Sequence, residues 1–317
     1  MRIGLALGAG GVVGASWMIG ALEALEQQTG FRPAEVSEVL GTSVGSLIGA
    51  MVAATVPTAA MAAYASGVEG GVAGDPDDHD HDAMRLRLGR VPLPIGPGSW
   101  RMVLAARNRT MLFTGLLPRG AARTDAISRL VDRAVGSQWP AGCDLRIVAC
   151  DYASGERVEF ARSRGPAATP GEAVAASCAI PAVYEPVVIG GRRYIDGGVH
   201  SHSNLDLLLD AELDAVIALN PMSSGAWVAG GGVRERLAGA RRRYSGALLA
   251  AEVRALRARG TDVLVLEPAF ADLAAMGPNL MARDRLVAVI DAGRSSTERA
   301  LRRLGPKRLR SVGLAAG

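Results

Sequence analysis

Cysteine, histidine, lysine and aromatic residues are all scarce in this chain, and each scarcity removes a class of chemistry. Three cysteines, Cys143, Cys150 and Cys178, form no C-x-x-C pair and no zinc spacing. A disulfide-built scaffold is therefore excluded, and a reducing compartment, the cytoplasm, is expected. The only histidines are His79, His81, His200 and His202, so few imidazoles are on offer as general bases. Aromatics make up 4% of the residues, too few for a base-stacking platform. The positive charge is arginine, with Lys307 the single lysine, and the net excess is only +4. Arg234, Arg236, Arg241, Arg242 and Arg243 fall on one expected helix, yet without interleaved aromatics they do not make a nucleic-acid surface. No nucleic-acid partner is expected.

Long runs of large aliphatic residues are missing too. Residues 39–68 carry no charge, but they are rich in Ala and Gly and contain Pro57, which favours a buried helix pair over a membrane span. Met1-Arg2 before an apolar stretch looks like the start of a signal peptide. Gly8, Gly10, Gly11 and Gly14 break that stretch, so a strand followed by a loop fits better.

What the chain has is a repeated grammar of strand, glycine loop and helix. Residues 3–7 read as a buried strand, residues 8–14 as a glycine loop, and Ala15–Gln28 as a helix with apolar positions at helical spacing. Val36–Leu40 reads as a second strand, running into Gly41-Thr42-Ser43-Val44-Gly45 and an apolar helix from Ser46. That order predicts an α/β fold with a mainly parallel sheet between helical layers. Further strands are expected at 145–150, 157–160, 215–219 and 263–266, with a strand-turn-strand ending at Asp196-Gly197-Gly198. Helices are expected at 124–135, 171–178 and 279–304. Residues 66–120, punctuated by Gly and Pro, read as an insertion or lid, with helix at about 100–108. Residues 305–317 read as a loose basic tail on a single domain of residues 1–317.

The G-x-S-x-G at Gly41–Gly45 follows a strand and precedes a helix, as a nucleophile elbow requires, and makes Ser43 the candidate nucleophile. Ser43, Asp196 and either His200 or His202 would satisfy the Ser–Asp–His order. Both histidines lie only a few residues past Asp196, so a direct Ser43–Asp196 dyad is the simpler geometry. The loop Gly8-Ala9-Gly10-Gly11-Val12-Val13-Gly14 misses G-x-G-x-x-G, because the sixth position from Gly8 is Val13. An oxyanion loop is preferred to a dinucleotide site or a purely structural turn, since small residues expose backbone amides. Asp75, Asp77, Asp78, His79, Asp80, His81 and Asp82 match no calcium loop, and a solvated loop is favoured. No metal and no organic cofactor are expected. Pro92–Pro97 and Trp100–Leu104 offer an apolar flap for lipid or for the site itself.

Taken in order, the glycine loop, the elbow, Ala176-Ser177-Cys178-Ala179-Ile180-Pro181 and Asp196-Gly197-Gly198 resemble the patatin-like phospholipases over about residues 1–222. The resemblance implies a three-layer sandwich and a lipid acyl hydrolase. It implies Ser43 as nucleophile and Asp196 as base, with the amides near Gly10, Gly11 and Val12 as oxyanion donors. Gly8, Gly14, Gly41, Gly45, Gly197 and Gly198 are then the motif glycines. The family loop commonly carries Arg or Lys just after its glycines, where this chain has Val12-Val13. An acyltransferase, or an inactive lipid-binding or scaffold protein, are the alternatives. The expected partner is a lipid or other acyl ester, with peripheral contact at the inner membrane face left open. Head group, acyl chain and oligomeric state are not fixed by these residues.

Overall fold

The computed structural model describes residues 1–67, 98–106, 109–225 and 232–315. The expected acidic-histidine stretch at 75–82 and the Pro92–Pro97 run lie outside the described residues.

Five strands form a parallel core: β1 (Ile3–Leu7), β2 (Glu38–Thr42), β3 (Asp144–Asp151), β7 (Ala215–Leu219) and β8 (Asp262–Leu266). Three antiparallel strands complete the sheet: β4 (Arg157–Phe160), β5 (Val187–Ile189) and β6 (Arg192–Asp196). The strand order is β5-β6-β3-β2-β1-β7-β8, with β4 also pairing β3. Period-two alternation sends side chains to both faces. Leu5, Leu7, Val39, Ile147 and Ile217 enter one apolar cluster, and Ala6, Leu40, Val148 and Val216 enter another on the opposite face.

The first face is covered by α1 (Gly11–Thr29), α2 (Val44–Ala53), α7 (Pro170–Ser177) and α10 (Leu286–Ser311). The second is covered by α8 (Val233–Ala258) and the short helix Leu205–Asp210. This is the expected three-layer α/β arrangement with a mainly parallel central sheet. α3 (Thr58–Ala65), α6 (Asp125–Ala134) and α9 (Phe270–Met276) fill in around the first layer, and α4 (Trp100–Ala105) and α5 (Arg109–Leu116) form a helical hairpin. Within residues 39–67 the end of β2 leads into a helix pair as expected, a buried α2 and an α3 of which only Thr58 and Met61 are buried.

Three expectations need correction. The helix expected over 279–304 begins only at Leu286. α1 begins at Gly11, not Ala15, so the loop is only Gly8–Gly10 and Gly14 lies inside the helix. Residues 305–315 are not loose. α10 kinks at Gly305 (φ 73°) and continues to Ser311. Leu309, Val312 and Leu314 are buried there, while Arg308 pairs with Asp262 on β8. The apolar positions supply enough buried area to dock a segment that looked merely basic.

Candidate active site

The site is assembled at the C-terminal ends of β1 and β2, the edge where parallel α/β sheets place their ligands. β2 delivers Ser43 directly onto the N-terminus of α2, and Ser43 adopts φ 55°, ψ −129°. A non-glycine residue there is strained by about 1–3 kcal/mol and must be held by its surroundings. The flanking glycines make that turn sterically possible. A Cβ on Gly41 would lie 2.4 Å from the Cα of Ser46, and one on Gly45 would lie 2.1 Å from the carbonyl oxygen of Leu7. Three hydrogen bonds hold the elbow. The Ser43 amide donates to Ser177 Oγ (2.8 Å), Ser177 Oγ donates to the Val148 carbonyl (2.6 Å), and Ser46 Oγ donates to the Ser43 carbonyl (2.6 Å).

Ser177 ends α7, whose start is set by Pro170 and by a reciprocal cap between Thr169 and Glu172. The sequence marked this serine only as part of a motif; its backbone-holding role becomes visible in three dimensions.

Asp196 ends β6 and turns sharply through Gly197, where a Cβ would meet the Val148 carbonyl oxygen at 2.3 Å. Ser43 Oγ donates to Asp196 Oδ2 at 2.7 Å, and the Gly198 amide donates to Asp196 Oδ1 at 2.7 Å. Both side chains are buried. Burial raises the Asp196 carboxyl from 3.8 to about 6, against the opposing pull of the Ser43 hydroxyl, the Gly198 amide and the Arg241 guanidinium. Among the described residues neither His200 nor His202 hydrogen-bonds Ser43 or Asp196. His202 is partly buried, its buried Nδ1 has no partner among the described residues, and desolvation with Arg241 and Arg242 nearby lowers it to about 3, a neutral ring.

Asn204 was not foreseen. From a left-handed backbone (φ 52°) its Nδ2 donates to Thr42 Oγ1 (3.0 Å) and to the Ser201 carbonyl (2.6 Å). It thereby ties the chain after Asp196 to the residue before Ser43.

The amides of the glycine loop divide into bonded and open groups. The Gly8 amide donates to Leu219, Ala9 to His202, Val13 to Leu280 and Gly14 to Gly10. The amides of Gly10, Gly11 and Val12 between them have no acceptor among the described residues. Gly11, at φ 61°, also has the Leu280 carbonyl oxygen 2.7 Å from where a Cβ would stand. Gly11, Val12 and Ser43 line a cleft whose walls are largely apolar and include Ile19, Leu47, Met51 and Met61, with Arg133 and Arg283 among the polar lining. No cation follows the loop glycines. The guanidinium that acts on Asp196 comes instead from Arg241 on α8.

A family model for patatin-like phospholipase matches residues 5–209. The chain belongs to that family. Every motif on which the resemblance rested lies within the match, whereas α8 and Arg241 lie beyond it. Among solved structures, this patatin-like chain is similar to VipD from Legionella pneumophila at 13% identity and a TM-score of 0.44, covering 94% of this chain and 66% of that one. It is also similar to the type III effector protein ExoU at 14% identity and a TM-score of 0.36, covering 98% of this chain and 58% of that one. The chain thus spans less than two thirds of the length of either structure. No curated protein matches its sequence.

Among the described residues no group of three or more His, Cys, Asp or Glu is placed to hold a metal ion. No helix among them is long and apolar enough to cross a membrane.

Proposed function

We propose that this chain hydrolyses lipid carboxylic esters through a Ser43–Asp196 dyad and an acyl-enzyme intermediate, on one catalytic domain that carries 66–120 as an insertion or lid. The observation that carries the reading is the direct 2.7 Å hydrogen bond from Ser43 Oγ to Asp196 Oδ2. It makes a carboxylate, not an imidazole, the base within reach of the hydroxyl.

As Ser43 Oγ attacks the ester carbonyl, Asp196 takes its proton, and the open amides of Gly10, Gly11 and Val12 receive the developing oxyanion. The tetrahedral adduct collapses, the proton passes from Asp196 to the departing alcohol, and Ser43 is left acylated. Water, deprotonated by the same carboxylate, then attacks the acyl carbon and returns the serine. Family membership and the apolar cleft beside Ser43 support a lipid acyl chain as the bound group. None of these steps calls for a metal or organic cofactor.

Hydrolysis of short and long acyl esters by wild type, Ser43→Ala, Asp196→Asn, His200→Ala and His202→Ala tests this. The serine and aspartate variants should lose at least about a thousandfold in kcat while staying folded by circular dichroism, and both histidine variants should stay within about tenfold of wild type. A dead histidine variant would replace the dyad with a triad. Full activity in Ser43→Ala would remove Ser43 from the mechanism.

A further inference from the structure

The surface carries an apolar patch that the proposed chemistry does not use. Among the described residues eleven large apolar side chains are exposed, and six of them fall within eighteen consecutive residues. They are Trp100, Leu104, Leu112, Phe113, Leu116 and Leu117, all on α4, α5 or the residue following α5. Leu104 is 85% exposed, Phe113 64% and Trp100 61%, so these are whole side chains in water, not the edges of core residues. Six large exposed apolar side chains concentrated on one short helical hairpin mark an interaction site.

The hairpin is anchored on the other side, so the exposure is not a failure to fold. Met102 and Met111 are buried, and Met102 packs with Cys150, Tyr152 and Ile195. Ser99 Oγ donates to the Tyr152 carbonyl at 2.7 Å and caps α4 by accepting from the Met102 amide. The anchor lies beside the site: Ile195 immediately precedes Asp196, and Val199, which also packs on this cluster, follows Gly198.

Charge identifies the occupant. From Gly98 to Gly120, the hairpin and its flanks, the sequence carries four arginines and no Asp, Glu or Lys. Arg101 and Arg119 are exposed next to the apolar side chains. Two short helices with aromatic and aliphatic side chains outward and arginines alongside match the interface of an anionic bilayer.

We infer that the α4–α5 hairpin is a membrane-docking surface that seats the Asp196 side of the site against an anionic lipid surface. Apolar side chains enter the acyl boundary, and the arginines meet phosphate head groups. A second copy of this chain, or residues 68–97 folded over the patch, would be a different occupant, and neither explains the one-signed charge as directly.

The test is co-sedimentation of the full chain with vesicles of pure phosphatidylcholine and of phosphatidylcholine with 30% phosphatidylglycerol. Wild type should bind the anionic vesicles at least tenfold more tightly than the neutral ones. A Leu104→Ser, Phe113→Ser double variant should lose at least tenfold on the anionic vesicles, and an Arg101→Gln, Arg119→Gln variant should lose most of the preference for them. Val287→Ala and Phe270→Ala, exposed apolar residues outside the hairpin, should bind as wild type. Melting curves and hydrolysis of a short, monomeric acyl ester by each variant should be unchanged. Because binding is read apart from turnover, a failure here leaves the Ser43–Asp196 reading standing, and the converse also holds. Wild type that ignores anionic vesicles overturns the inference, whether it sediments as a monomer or as a dimer abolished by the double variant. So does vesicle binding indifferent to both hairpin variants.

Discussion

At the scale of single residues, the proposed mechanism places two opposing demands on Asp196. A base must be ionised to accept the Ser43 proton, and a buried carboxylate resists ionisation. With the carboxyl raised to about 6, kcat/KM of the free enzyme should rise with pH through about 6 and then level, an acid limb about two units above that of an ordinary aspartate. The stability consequence has the opposite sign. The folded state holds this proton more tightly than the unfolded chain, so the group's contribution is full below about pH 4 and is lost as pH rises through about 6. Asp196→Asn keeps the shape and an acceptor for the Gly198 amide without the buried charge. It should therefore raise stability at pH 7 by roughly 1–3 kcal/mol while abolishing turnover, as denaturant unfolding beside an ester assay would show. Unchanged stability would mean the carboxylate is better solvated than its burial implies. Ser43 and Asp196 were legible in the sequence because each sits in a glycine motif with a steric cause. Asn204 was not, because nothing near it in the chain announces that Thr42, 162 residues away, is its partner.

At the scale of elements, the site depends on a few connections that set where strands end. Ser177, at the end of α7, is the acceptor for the Ser43 amide and a donor to Val148 on β3, so one hydroxyl links three elements. Ser177→Ala leaves two buried backbone groups without that partner and should cost about 1–3 kcal/mol. It should also lower kcat by about ten- to a hundredfold with KM little moved, since the nucleophile is displaced more than the cleft is. A parallel shift in KM alone would assign Ser177 to substrate binding instead. Elsewhere on the sheet, the fully buried Arg146 guanidinium donates to Glu38, Glu159, Asp210 and the Leu207 carbonyl. Arg146→Ala leaves the Glu38 carboxylate buried without its cation and should destabilise by about 3–5 kcal/mol, visible in chemical denaturation, with the short-ester kcat of the folded fraction preserved. Strands were readable because buried parallel strands are short apolar runs bounded by turns, and β7 falls on the residues expected of it. The start of α1 was misplaced because its first turn is made of glycines that look like loop. The last turns of α10 were missed because Gly305-Pro306 and three basic residues, Lys307, Arg308 and Arg310, hide the three apolar positions that dock it.

At the scale of the whole molecule, three features converge on one edge of the sheet: the strained serine, the buried carboxylate and a row of open amides, with an apolar cleft beside them. Each has a structural explanation when taken alone, such as a tight turn, a capped 3-10 helix or a helix N-terminus. Their convergence is what the acyl-enzyme account explains. The most direct measurement is an acid quench of the full chain during turnover of a p-nitrophenyl acyl ester, followed by intact mass and peptide mapping. The account predicts one acyl group added to wild type, mapped to Ser43, and no adduct on Ser43→Ala. Sustained hydrolysis by wild type with the acyl group on another residue, or by Ser43→Ala at the wild-type rate, would contradict it.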